Sequence, residues 1–343
     1  MTAIKTALLA MSATLALAAG AGSVRADEMH DPLLSGKEML PEKYVQRIMA
    51  GTKGLQSMDD SDQAKGLFSK LVVWPPSYSK LRVCFMGGTD KVNAAVARVA
   101  STWNEVADLS LKLDFGKMNQ PRRCDPNGRE SQIRVSYDQP GYWSQLGQNS
   151  MVYVAQEEAS LNLEQFDKVP DARMLLQGEL KGVILHEFGH AFGLLHEHQS
   201  PVATCANEFN WDFIVKYLSG PPNNWNQDTI RFNLAPYAGE DLMMTDFDRQ
   251  SIMLYSFPAE YYTKGAQSSC YIGRSNTDIS GADKATVEYM YSADVASRVK
   301  NFEQSKAQFA EMLKTAETAG KKAAGMDYMD AFFGSKGVAA DEE

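Results

Sequence analysis

Four of the five histidines in this 343-residue chain fall inside one short stretch, GVILHEFGHAFGLLHEHQSP, from Gly182 to Pro201. His186 and His190 are four residues apart. On a helix that spacing puts both imidazoles on one face, one turn apart, close enough to hold a single metal ion. Glu187 lies beside His186 and can point into the same cleft. Gly193 stands three residues past His190, where a helix favours a left-handed exit. After such a turn His196 can swing back as a third imidazole. Three neutral nitrogens leave one position of a tetrahedral Zn2+ open, the arrangement of a catalytic zinc rather than a closed structural one. Zinc lowers the pKa of a water it binds to about 7. Glu187 can take that water's proton during attack on a carbonyl and pass it to the leaving amine. A histidine on an apolar helix is often only a satisfied core residue, but a chain this poor in histidine does not place three at these spacings by scatter. His198, two residues past His196, cannot easily share the same ion and reads as a local structural residue.

Elements on either side must position this stretch. LLQGELKGVIL, immediately upstream, reads as the start of the histidine helix. Further upstream, KLRVCFMG alternates and is β-rich, which predicts a strand. KVNAAVARVASTWNEVA carries Val92, Val96, Val99, Trp103 and Val106 at spacings of three and four, which predicts one amphipathic helix. LSLKLDF and SQIRVSYD predict two more strands. SMVYVAQ and ASLNLEQF read as strand segments before the histidine helix. Strands mixed with two long helices indicate an α/β (α+β) sheet domain.

The ends have a different character. Residues 1–26 combine Lys5, a short Ala-rich apolar run and Val24 and Ala26 at the positions a signal peptidase reads, which predicts a secretory signal peptide. Residues 27–73 are polar, with a helical pattern around PEKYVQRIMAG, and form an N-terminal segment read as a candidate pro-region. The breaker WPPS at Trp74–Ser77 opens the main domain, 74–291. Residues 292–343 form a helical tail with Val295, Val299, Phe302, Phe309 and Leu313 on one stripe. The stripe either packs on the domain or meets a partner, and packing is the favoured reading. No segment after the leader is apolar enough to span a membrane. A formal net charge of −9, more acidic once Lys5 and Arg25 leave with the signal, argues against a nucleic-acid partner. In an exported protein, Cys84, Cys124, Cys205 and Cys270 read as two disulfides with three conceivable pairings. We favour Cys84–Cys124 and Cys205–Cys270, each within its own half of the chain.

HEFGHAFGLLHE resembles the extended HExxHxxGxxHE signature of the metzincin peptidases, and Glu197 after the third histidine is the choice of the astacin branch. FDRQSIMLYSF is similar to the family's Met-turn. Met253 matches its methionine, and Tyr255 matches the tyrosine that can be a fifth zinc ligand in astacins. IGRSNTDISGADKATVEYMY resembles the usual end of such a domain, and HEHQSP is similar to bacterial astacin-like enzymes. No FxGD-like motif, through which astacin pro-segments reach the zinc, lies between Asp27 and Lys70. The resemblance implies a two-subdomain fold around a cleft. A twisted, mostly parallel sheet and the active-site helix form the upper half. An irregular lower half after Gly193 carries the third ligand, the Met-turn and a final helix. It implies one catalytic Zn2+ on His186, His190 and His196, with Glu187 and Tyr255 catalytic and Gly193, Glu197 and Met253 supporting the site. An edge strand at Ser160, Leu161, Asn162 and Leu163 would pair with an extended polypeptide substrate by β-addition. The implied function is a secreted or periplasmic zinc endopeptidase. The competing reading is a catalytically silent fold of the same type that binds a partner, which would have little need of Glu187.

Overall fold

The computed structural model describes residues 40–48, 72–236 without 126, 129 and 222, and 246–307 without 301, 305 and 306. The leader 1–26, much of 27–73 and most of the tail lie outside these residues. Among the described residues no helix is long and apolar enough to cross a membrane.

Strand β1 (Lys80–Phe85) lies parallel to β2 (Lys112–Asp114) on one side and to β5 (Ile133–Ser136) on the other. A two-stranded hairpin, β3 (Gly116–Lys117) with β4 (Gln120–Pro121), follows β2. Strand β7 (Leu161–Leu163) is parallel to β5, and β6 (Tyr142–Ser144) is antiparallel to β7, giving the sheet order β2-β1-β5-β7-β6. Parallel neighbours need crossover segments that cover the faces of the sheet. Every residue of β5 and β7 is accordingly buried, with no alternation to read.

Helix α1 (Asp90–Ala100) crosses from β1 to β2. The Thr89 side chain accepts the Val92 N–H at its start, and Val92, Val96 and Val99 are buried. The expected single helix through Val106 ends at Ala100. There the chain tightens into a 3-10 turn over Ser101–Glu105, and the buried Trp103 donates its indole N–H to Leu185 O at 3.0 Å. The SMVYVAQ segment is not a strand. It curls into the one-turn helix α2 (Asn149–Val152) and a following turn. The cause is Arg134 on β5, a buried guanidinium that bonds the carbonyls of Ser131, Ser150, Val154 and Glu158. Its five donors need acceptors in the interior, and a curled segment turns several carbonyls towards one point where a strand cannot.

The expected substrate edge at Ser160–Leu163 is likewise corrected. Strand β7 is interior, paired through Val135↔Leu161 on one side and Trp143↔Asn162 on the other. Ser160, Leu161, Asn162 and Leu163 are all buried. The Ser160 hydroxyl accepts the Arg134 N–H at 2.9 Å, and the Asn162 side chain accepts from the Ser136 hydroxyl at 2.6 Å. The edge on this side of the sheet is β6, with β2 at the opposite edge.

Helix α3 (Gly178–Phe192) packs Ile184, Leu185, Phe188 and Phe192 into the core beneath the sheet. Each such side chain stabilises by ~1.5–3 kcal/mol relative to exposure. Beyond it come α4 (Cys205–Glu208), α5 (Trp211–Leu218), α6 (Gln227–Leu234) and α7 (Gly281–Tyr291). Their core gathers Ile214, Leu218, Ile230, Leu234, Phe257 and Tyr261. The Cys205–Cys270 disulfide, with a Cα–Cα distance of 5.6 Å, closes this region. The Cys84–Cys124 disulfide, at 4.9 Å, ties β1 to the chain after β4. Both favoured pairings are therefore present.

Two flanking pieces touch the domain. In a helix over 42–48, Tyr44 packs against Trp143 with ring centroids 5.5 Å apart and donates to Ala159 O. Arg47 and Lys43 meet Glu158 at 2.7 and 3.1 Å. At the other end, two residues of the tail's apolar stripe are exposed, and Phe309 and Leu313 of the same stripe lie outside the described residues. Val295 and Val299 are 45% and 44% exposed, while Arg298 is buried, bonded to the Ser110 hydroxyl and 5.3 Å from the Tyr291 ring centroid. The Ala293 N–H, bonded to Asp108 O at 2.7 Å, anchors the chain just before this helix.

Candidate metal centre

Helix α3 carries His186, Glu187 and His190 and ends at Gly193. Gly193 has φ 99°, the left-handed region that a side chain opposes. The Gly193 N–H bonds His190 O and the Leu194 N–H bonds Gly189 O, a Schellman closure. The reversed chain offers Leu194 O to His190 Nδ1 at 2.8 Å and brings His196 round to face the helix. His190 Nε2 then lies 3.0 Å from His186 Nε2 and 2.9 Å from His196 Nε2.

The far side of each ring fixes its tautomer. His186 Nδ1 meets Ile252 O at 2.8 Å, and His196 Nδ1 meets Gln199 Oε1 at 3.0 Å. All three partners are carbonyl oxygens, which only accept, so each Nδ1 carries the hydrogen and each Nε2 is a bare lone pair. Three lone pairs at hydrogen-bond distance with no proton between them repel one another unless a cation sits where they converge. Burial, reinforced by the neighbouring imidazoles, holds His190 and His196 well below the usual histidine range and keeps them neutral. Neutral, preoriented nitrogen donors are what zinc takes. Among the described residues these three side chains form a group able to hold a metal ion.

The Met-turn lies under this triad. The Met253 sulfur sits so close to α3 that a Cβ at Gly189 would stand 2.5 Å from it. Met253 O accepts the Glu197 N–H at 3.0 Å, and Glu197 Oε1 accepts the Asp248 N–H at 2.9 Å. Glu197 thus clamps the third-ligand turn to the Met-turn. Burial pushes its carboxyl up to about 7. Asp283, in a capping box with Ser280 at the start of α7, accepts the Ser251 hydroxyl at 2.6 Å and the Ile252 N–H at 2.8 Å. Through Ile252 O that capping box reaches His186. Tyr255 is buried, with its ring centroid 4.3 Å from that of His196 and 5.2 Å from that of His186. The His198 ring stacks on that of His196 with centroids 5.2 Å apart, its Nε2 is bonded to Asn233 O at 3.0 Å, and burial pulls it down to about 3.

No family model matches the chain, and no curated protein matches it. Among solved structures, one of myroilysin is 28% identical with a TM-score of 0.51, over 64% of this chain and 95% of that one. A second structure of myroilysin is 27% identical with a TM-score of 0.44, over 64% and 86%. High choriolytic enzyme 1, a hatching enzyme zinc-protease from the medaka Oryzias latipes, is 15% identical with a TM-score of 0.39, over 64% and 92%. Motif and fold together are those of an astacin-like metzincin.

The structure brings together His186, His190 and His196 with Gly193, Glu197, Met253 and Tyr255 around them, buries Glu187 on the helix that carries His186 and His190, and leaves Ser160–Leu163 inside the sheet. The sequence reading missed Gly189, Asp283 and Gln199. Asp283 had a visible signal, the Ser280-x-x-Asp283 spacing of a capping box. Gly189 and Gln199 had none, because their roles depend on chain that arrives from distant sequence.

Proposed function

We propose that this chain is a secreted zinc-dependent endopeptidase with one catalytic zinc ion. The convergence of three Nε2 lone pairs beside Glu187, a carboxylate fully buried on the same helix, carries the reading. Zinc held there would supply a Lewis acid that lowers the pKa of water to about 7. Glu187 would accept a proton from the attacking water and deliver it to the leaving amine. Tyr255 would donate its phenol hydrogen to the oxygen on which negative charge develops. A polypeptide substrate would add to the sheet along β6, an edge strand. The leader 1–26 and the two disulfides support export to an oxidising compartment. Residues 27–73 are read as a pro-region, part of which, the helix over 42–48, is docked on the Trp143 face.

Glu187→Gln tests the proposal. The variant should bind zinc like the wild type and lose on the order of 10²–10⁴-fold in hydrolysis of denatured casein. Metal analysis and a casein assay, with and without a zinc chelator, give both readouts. Turnover close to that of the wild type in Glu187→Gln would sink the role of the base. A zinc-loaded wild type that cleaves no member of a peptide library would instead favour the silent binding fold.

A further inference from the structure

We infer that Gln199 is a positioning residue that fixes the tautomer and aim of the third metal ligand by accepting from His196 Nδ1, its own amide being turned the right way by the bond it donates at the C-terminal end of α6. The inference rests on the zinc reading above. His186 and His190 are oriented by main-chain carbonyls, Ile252 O and Leu194 O. His196 alone is oriented by a side chain, the Gln199 amide, with its Oε1 3.0 Å from His196 Nδ1. The same amide donates Nε2–H to Ala235 O at 2.9 Å. A main-chain carbonyl can only accept, so this second bond settles which end of the amide faces the histidine. The oxygen must face His196, His196 Nδ1 must donate, and the lone pair must sit on Nε2, facing the other two rings.

The anchor is stiff for a local reason. The last carbonyls of a helix lack donors from their own chain. Asn233 O at the end of α6 and Ala235 O just beyond it take theirs from His198 Nε2 and Gln199 Nε2, two consecutive side chains of the turn that follows His196. Both are buried, Gln199 to 1% exposure. Glu197, the first residue of that turn, holds the Asp248 N–H on the Met-turn side. Three successive residues thus fasten the ligand turn to two different elements, and the Gln199 link is the one that hydrogen-bonds a ligand ring.

Zinc affinity of the full chain, measured by competition with a chromophoric chelator, tests this without recourse to activity. Gln199→Met keeps the length and packing of the side chain and removes both amide groups. Loss of such an outer partner typically weakens metal binding 10–100-fold, and that loss is expected here. Gln199→Glu keeps an acceptor for His196 Nδ1 while giving up the bond to Ala235, and should hold zinc at least as tightly as the wild type. The metal-free Gln199→Met protein should melt close to the metal-free wild type, with the deficit appearing only on zinc addition. Equal affinity in Gln199→Met and wild type would overturn the inference alone, as would equal losses in the Met and Glu variants. Should Gln199→Met not fold, Gln199→Glu decides by itself, and a tenfold or greater loss there would count against the role. Failure of the wild type to bind zinc would overturn the zinc reading first and this one with it.

Discussion

Before Gly193 the chain holds itself together with a five-stranded, mostly parallel sheet and the helices α1 and α3, and His186 and His190 ride on α3. After Gly193 the described residues form short helices and turns around a core of aromatic rings and one disulfide, with no strand in that sheet. The third ligand and the Met-turn belong to this second region. The spacing of His186 and His190 follows from the helix repeat alone, so the first region presents them with little help. The place of His196 depends on side-chain tethers, namely Gln199, the Glu197 bond to Asp248 and the ring of Tyr255. The seam is fastened from both sides. The buried Tyr291 of α7 donates to Phe192 O and accepts the Trp74 N–H, and the Trp74 indole donates to Ala191 O.

Removing each disulfide in turn tests this contrast most severely. Cys205→Ser with Cys270→Ser opens a 65-residue separation, and Cys84→Ser with Cys124→Ser opens a 40-residue one. Either change should cost about 4 kcal/mol of stability in the chain-entropy model. Zinc affinity should separate them. The first pair should weaken binding through a loosened His196, whereas the second should leave folded protein with wild-type affinity. Denaturant melts and chelator competition on both variants would show it, and equal zinc loss in the two would erase the distinction.

Tyr255→Phe keeps the ring packed on His196 and removes only the hydroxyl. Loss of one oxyanion donor typically costs about 3–4 kcal/mol in the transition state, or roughly 10²–10³ in turnover. The Michaelis constant should move far less than the turnover number. Steady-state kinetics with parallel zinc analysis checks this. Unchanged turnover would leave Tyr255 as a packing residue of the second region only.

Gly189→Ala probes the seam itself. The new methyl would stand 2.5 Å from the Met253 sulfur and 3.2 Å from the Trp103 ring, one from each region. Overpacking of this kind costs about 1–3 kcal/mol. A lowered melting temperature with both disulfides intact is the expected result. A double variant that also shortens Met253 to Ala should recover part of the loss.

The smallest effect is expected where the N-terminal helix meets the sheet. The hydrogen bond from Arg47, with further help from Lys43, pulls the Glu158 carboxyl from its ordinary 4.5 down to about 2. A depressed carboxyl pKa contributes stability above the unfolded value and loses it as the pH falls through the folded one. The contribution should therefore be intact above about 4.5 and fade towards about 2. Glu158→Gln should be slightly less stable than the wild type near neutral pH and should match it in acid. Denaturant melts across that range check the sign. A difference that grows on acidification would break the assignment.

The sequence by itself determined the histidine cluster, the left-handed exit at Gly193 and the α/β class, and it favoured the disulfide pairing that the structure shows. Those features follow from local rules: a four-residue spacing shares a helix face, a glycine accepts positive φ, and cysteines close within their own half. Tertiary structure alone decided the rest. Short, fully buried strands carry no alternation, so periodicity could not tell that β7 is interior and β6 an edge. The carbonyl demand of the buried Arg134 curled SMVYVAQ into a helix that its β-rich composition did not suggest. Val295 and Val299 are exposed on a tail whose Arg298 is the buried residue, set against the Tyr291 ring and the Ser110 hydroxyl. Gly189 is needed, and Gln199 is oriented, only because Met253 and Ala235 arrive from distant sequence, and no local pattern encodes which segment will come to lie there.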